Sequence, residues 1–144
     1  MTLPPGSELL YGKRYATPEI VVGYDAARCI HARVCVQSLP QVFNVAARPW
    51  IQPAYAQAEQ VQAVVRRCPS GALHALISGV QAEQPERPTT ITPQPDGPLS
   101  VRGDLRIVTP QGEVREVRAT LCRCGASSNK PFCDGTHAHI GWKG

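Results

Sequence analysis

No apolar run in this 144-residue chain exceeds a few residues, so no segment reads as a membrane-crossing helix and the membrane is excluded as a site of function. The opening "MTLPPGSELLYGKRYATPEI" lacks a basic region followed by an apolar stretch, and the expectation is a chain without a secretory signal, located in the cytoplasm. The formal charge is +4, but no basic stripe interleaved with aromatics exists; Arg66 and Arg67 are the densest spot, which argues against nucleic acid as a partner. No phosphate-cradling glycine loop, no nucleophile–base pair and no second cofactor pattern is present, so the chain reads as something other than an enzyme. Internal repeats are lacking too. What is present is cysteine, six in all. Three disulfides need an exported chain; in a reducing compartment such cysteines more often bind metal or do redox work.

The length suits two small domains, neither with a generous core of its own. Residues 80–98, "VQAEQPERPTTITPQPDGP", hold five prolines and almost no apolar periodicity. They read as a semi-stiff linker. The expected division is a domain at 1–79, a linker at 80–96 and a second domain at 97–144, with three cysteines on each side. In the first part, "EIVVGYD" (Glu19 to Asp25) reads as a strand and "VFNV" (Val42 to Val45) as a short one. A helical turn is expected through Cys35 and Leu39, limited by Pro40. "AQAEQVQAVVRRC" (Ala56 to Cys68) is the clearest helix, with Ala58, Val61, Val65 and Cys68 on one face and Pro69 ending it. In the second part Leu99, Val101, Leu105 and Ile107 alternate with polar residues, as in a half-buried strand. After the turn "TPQGE", "VREVRATLC" is a second strand, with Val117, Ala119 and Leu121 on one face. A hairpin thus leads into a cysteine cluster.

That cluster is "LCRCGASSNKPFCDGTH" (Leu121 to His137). On an extended strand Cys122 and Cys124 point the same way. Cys133 and His137 share a helical face if a helix starts near Asp134, which suits a helix start as cap and charge. Thiolate and imidazole are ligands of zinc and of iron–sulfur centres alike, and spacing does not separate them, although C-x-C is tighter than the usual structural zinc pair. His139 falls off the Cys133 face and reads as a surface histidine.

The run "CRCGASSNKPFCDGTH" resembles the CDGSH (NEET) iron–sulfur family. It matches C-x-C-x2-[ST]-x3-P-x-C-D-G-[SAT]-H at every specified position, over roughly 45 residues with the lead-in "GPLSVRGDLRI". The resemblance implies a [2Fe–2S] cluster, with Cys122 and Cys124 on one iron and Cys133 and His137 on the other. It places Ser127, Lys130 and Asp134 where they would bond sulfide or orient His137. One histidine in place of a thiolate removes a negative charge, so the potential should lie above that of an all-cysteine [2Fe–2S] centre. The histidine must also be neutral to bind, so acid competes with the metal. The resemblance further implies a homodimer, formed mainly by residues beyond 97.

Cys29, Cys35 and Cys68-Pro69 remain. Bacterial ferredoxins run C-x2-C-x2-C and then a remote C-P. With Cys29 first, Ala32 stands where the second cysteine belongs, Cys35 is third and Cys68 is the remote ligand. Three thiolates suit a [3Fe–4S] cluster; a [4Fe–4S] cluster needs another ligand at its fourth iron. "CIHARVC", "LPQVF", "ARPWI" and "CPSGAL" resemble the divergent mono-cluster ferredoxins, including those that feed electrons to haem monooxygenases. His31 is read as a loop histidine beside the cluster, with a place on the fourth iron as the alternative. The bland alternative for all three cysteines is buried thiols in an apolar core. Trp50 and Tyr55 read as core or rim aromatics and His74 as a surface residue.

Together these readings give an α+β chain, with a small ferredoxin-like domain linked to a β-rich CDGSH-type domain. The expected function is one-electron transfer or redox sensing through two clusters, with a redox protein as partner. Storage and delivery of a cluster to an apo-protein acceptor is the rival, and a zinc-stabilised interaction module the third reading.

Overall fold

Strands form where β-branched and aliphatic residues cluster, and the helices are short. The computed structural model describes residues 10–80 and 82–144; residues 1–9, in the stretch read above for a signal, lie outside the described residues. The chain has α+β architecture and divides into two compact units. The first takes in the described residues of Met1–Asp25, Ala32–Cys68 and Leu73–Glu83. The second takes in Ala26–His31, Pro69–Ala72 and Gln84–Gly144.

In the first unit, β1 (Lys13–Ala16), β2 (Ile20–Tyr24) and β3 (Leu73–Ile77) form an antiparallel sheet in the order β1-β2-β3. Ile20 pairs with Ile77 and Val22 with Ala75. Helix α1 (Val34–Ser38) and helix α2 (Ala58–Arg66) complete the unit. Val61 and Val65 are fully buried, and Ala58 and Cys68 pack beside them, as the 3, 4, 3 spacing predicts. Fully burying each valine is worth about 1.5 kcal/mol or more. The start of α2 is tied by Gln60, whose Oε1 accepts from the Gln57 N–H at 3.1 Å.

Two expectations differ. "VFNV" makes only a single bridge, Phe43 to Ile51. The Asn44 side chain accepts from the Ala46 N–H at 3.0 Å and turns the chain before a strand can propagate. Tyr55 is 64% exposed, so it is no core residue, whereas Trp50 stands edge-on to Tyr24 with ring centroids 4.9 Å apart.

In the second unit, β4 (Thr90–Pro93), β5 (Leu99–Thr109) and β6 (Gly112–Leu121) form an antiparallel sheet in that order. Strand β4 lies inside the proline-rich stretch read as linker. Its Thr-Ile-Thr core has the β-branched residues a strand wants, and its proline pairs at the end of an edge strand, where a missing donor costs least. The β5–β6 hairpin turns where expected, and a register shift between Arg102 and Leu105 breaks its alternation. Leu121 then bridges to Phe132 and closes a loop over residues 122–131.

The polar alternation of β6 does not mark a solvent face. Glu116 and Arg118 are 2% and 1% exposed. Glu116 Oε2 meets Arg28 Nη2 at 2.7 Å, and Glu116 Oε1 accepts from the Val117 N–H at 3.0 Å. Arg28 also donates to the Gly71 carbonyl at 3.1 Å. Gly71 has φ +74°, and a Cβ there would come to 2.4 Å from the Arg118 carbonyl oxygen. Gly71→Ala therefore combines left-handed strain with a backbone clash. We expect it to lower stability by about 2–4 kcal/mol in urea unfolding; a midpoint within error of wild type would contradict the packing described.

Candidate metal centres

Cys122 follows the last residue of β6, and its backbone N–H still bonds across to Pro131 O at 2.8 Å. The strand therefore delivers the first thiol in a fixed position. The chain bends through Cys124 and Gly125, and the sulfurs of Cys122 and Cys124 lie 3.9 Å apart. Backbone donors point at them: Gly125 N–H to Cys122 Sγ at 3.3 Å, and Ala126 N–H to Cys124 Sγ at 3.4 Å.

Cys133 is anchored from the other side, its N–H donating to Thr120 O on β6 at 2.8 Å. Its sulfur is 3.4 Å from His137 Nδ1 and accepts from the Gly135 N–H at 3.4 Å. The expected geometry needs correction here. Helix α3 is one turn, Thr136–His139, and Gly135 at φ 88° precedes it, so Cys133 lies outside the helix and shares no helical face with His137. The left-handed glycine folds the chain back and brings the pair together instead. His139 is exposed, as read.

The donor set thus comes as two pairs, Cys122 with Cys124 and Cys133 with His137. Among the described residues no three metal-ligating side chains converge on one point. Burial opposes ionisation of Cys122, but the N–H groups of Ser127 and Gly125, the neighbouring Cys124 and the Lys130 charge outweigh it and lower its pKa. At Cys133 burial raises the pKa, offset only in part by the Gly135 N–H and reinforced by the Asp134 charge. A bound metal is what would ionise Cys133.

The three supporting residues take distinct places. Ser127 is buried; its hydroxyl donates to Phe132 O at 2.6 Å and accepts from the Asn129 N–H at 3.0 Å. Lys130 is exposed and acts on Cys122 through charge. Asp134 accepts from the Ser128 N–H at 2.9 Å, the Thr136 hydroxyl at 2.5 Å and the Thr136 N–H at 3.1 Å. These contacts, the Thr136 hydroxyl foremost, hold its carboxyl below the ordinary carboxylate range. Sequence reasoning gave Thr136 only as the [SAT] position of the pattern and missed its bonds to Asp134, although its place two residues after an Asx-type residue was a signal.

Cys29 follows the short 3-10 turn Ala26–Arg28, Cys35 lies in α1, and Cys68 follows α2. Cys35 and Cys68 pack against the core of the first unit. The Cys29 sulfur accepts from the His31 N–H at 3.4 Å, and His31 Nδ1 lies 3.9 Å from it. His31 and Arg33 hold positive φ, of 58° and 66°, conformations uncommon for such residues. His74 is 3% exposed and lies 3.8 Å from Glu83, so its reading as a surface residue is corrected: β3 is buried on both faces.

Three sulfurs and an imidazole, with N–H groups aimed at the sulfurs, are a donor set suited to iron–sulfur chemistry, where hydrogen bonds to sulfur tune the centre. Comparison with known proteins bears on the same residues. Residues 15–77 match the family described as "Divergent 4Fe-4S mono-cluster". Residues 96–138 match "Iron-binding zinc finger CDGSH type". The uncharacterized protein YjdI of Escherichia coli K12 is 37% identical over 59 residues, covering 41% of this chain and 78% of that protein. Its counterpart from Escherichia coli O157:H7 gives the same figures. The chain belongs with YjdI and the divergent 4Fe-4S mono-cluster proteins, carries a CDGSH-type iron-binding finger in the same polypeptide, and is thereby a metal-cluster protein.

Proposed function

We propose that this protein carries single electrons between partner proteins and is no catalyst of its own. Its C-terminal centre would be a [2Fe–2S] cluster on Cys122, Cys124, Cys133 and His137. The arrangement of these donors as two pairs carries the reading, since a two-iron cluster needs one pair per iron. A second cluster, [3Fe–4S] or [4Fe–4S], would take Cys29, Cys35 and Cys68, on the strength of the ferredoxin spacing and of the family matched over 15–77. Bound there, such clusters supply reversible one-electron chemistry; the chain supplies the thiolates, the imidazole and the N–H groups that tune them. We place the protein in the cytoplasm, as a homodimer through residues beyond 97, with a redox protein as partner.

Delivery of the C-terminal cluster to an apo-protein is the rival. The partial exposure of Cys122, Cys124 and His137 favours it, since ligands within reach of solvent are within reach of an acceptor.

Electron paramagnetic resonance on the protein as isolated and after reduction tests the electron-carrier reading. A three-iron signal in the oxidised sample, or a four-iron signal on reduction, should accompany a two-iron signal on reduction. A two-iron signal that survives repeated reduction and reoxidation in the presence of an apo-ferredoxin supports the carrier. Its transfer to that acceptor supports the rival, and silence in both states contradicts both.

A further inference from the structure

Arg28 immediately precedes Cys29 and is only 3% exposed. Long charged side chains are rarely buried without a function for the charge or a partner for it. Glu116 at 2.7 Å is the partner. The guanidinium carbon also lies 5.0 Å from the centroid of the Phe132 ring, within cation–π range. Phe132 immediately precedes Cys133. The loops that carry Cys29 and Cys133 meet at two further places. Asn129 Nδ2 donates to Ala27 O at 3.2 Å. Gly135 faces Ile30, so that a Cβ on it would sit 3.8 Å from the Ile30 carbonyl oxygen. All of these residues belong to the second unit.

We infer that Arg28 is a positioning residue for two candidate ligands, Cys29 and Cys133, locking the loop that carries one to the loop that carries the other. The inference rests on the two-cluster reading above. No residue stands in sequence between this contact and either ligand: Arg28 is bonded to Cys29, and Phe132, on which it stacks, is bonded to Cys133. A guanidinium keeps its charge at all accessible pH, so the contact between the two loops persists across the pH range. Removing the carboxylate while keeping its shape leaves one more net positive charge among the residues that join the Cys29 and Cys133 loops. That charge stabilises the reduced, more negative state of the centre on each loop.

The test is a potentiometric titration of the holoprotein followed by electron paramagnetic resonance, in wild type, Glu116→Gln and Glu113→Gln. Glu116→Gln should move the potentials of both centres upward. Glu113 pairs with Arg106 on the exposed part of the hairpin, so its amide variant loses the same charge in a screened position and should leave both unchanged. A purely structural ion pair would shift thermal stability without moving either potential. Should Glu116→Gln fail to fold, Arg28→Lys retains the charge but gives up the planar fork and the ring contact. Iron release to a chelator should then quicken severalfold at both centres. Unchanged behaviour at both centres, or a change confined to one, overturns the shared role. A wild-type protein without two clusters overturns the underlying function instead.

Discussion

On acidification from about pH 7 to about pH 5, the visible absorbance of the C-terminal centre should bleach roughly tenfold faster for each unit of pH, because one proton competes with iron for one imidazole. In His137→Cys that dependence should largely vanish, since imidazole is the donor whose proton affinity lies nearest neutrality and a thiolate on iron holds its place further into acid. One other acid-sensitive feature can be set apart. Asp134 is held below the ordinary carboxylate range, first by the Thr136 hydroxyl. A lowered folded pKa means that its contribution is present above the unfolded value and is lost only as pH falls through the lower, folded one. The Ser128 and Thr136 contacts therefore outlast the bleaching. The His137→Cys protein should also show a lower reduction potential, because the new ligand adds a negative charge. Equal bleaching rates in the two proteins would remove His137 from the iron.

Glu116→Ala should be the most damaging single change to the fold. It strips the carboxylate from a guanidinium held 3% exposed, and breaking a buried pair in this way costs about 3–5 kcal/mol. The melting temperature should fall by roughly 10 °C or more, at a few degrees per kcal/mol for a chain of this size. The double variant Arg28→Met, Glu116→Leu should be less damaging than Glu116→Ala alone, because no charge is left behind. Thermal unfolding of the three proteins, followed by circular dichroism, reads this directly. A Glu116→Ala protein that melts with the wild type would mean that the pair is solvated.

That ion pair also marks the limit of what the sequence makes legible. Val61 and Val65 announce themselves because helical burial is written in local periodicity, and the β5–β6 hairpin because strand burial is written in alternation. Glu116 and Arg118 sit at the polar positions of that alternation and read as solvent-facing. What buries Glu116 is a partner at the far end of the chain, and no local pattern encodes a long-range pairing. The strand at Thr90–Pro93 was masked by the prolines around it, although its Thr-Ile-Thr run carried the signal. At the candidate site the ligand spacing was plain, because thiolates and imidazole must recur at fixed intervals to meet one cluster. The route that brings Cys133 to His137 was not. A short helix starting at Asp134 and a left-handed turn at Gly135 satisfy the same spacing, and only the backbone distinguishes them.

The central claim is that six thiolates and one imidazole hold iron together with inorganic sulfide. Quantifying iron, zinc and acid-labile sulfide in anaerobically purified protein tests it most directly. The account predicts about six sulfides per chain, two from the C-terminal centre and four from the other, with iron in similar amount. Stoichiometric zinc with no acid-labile sulfide would contradict it.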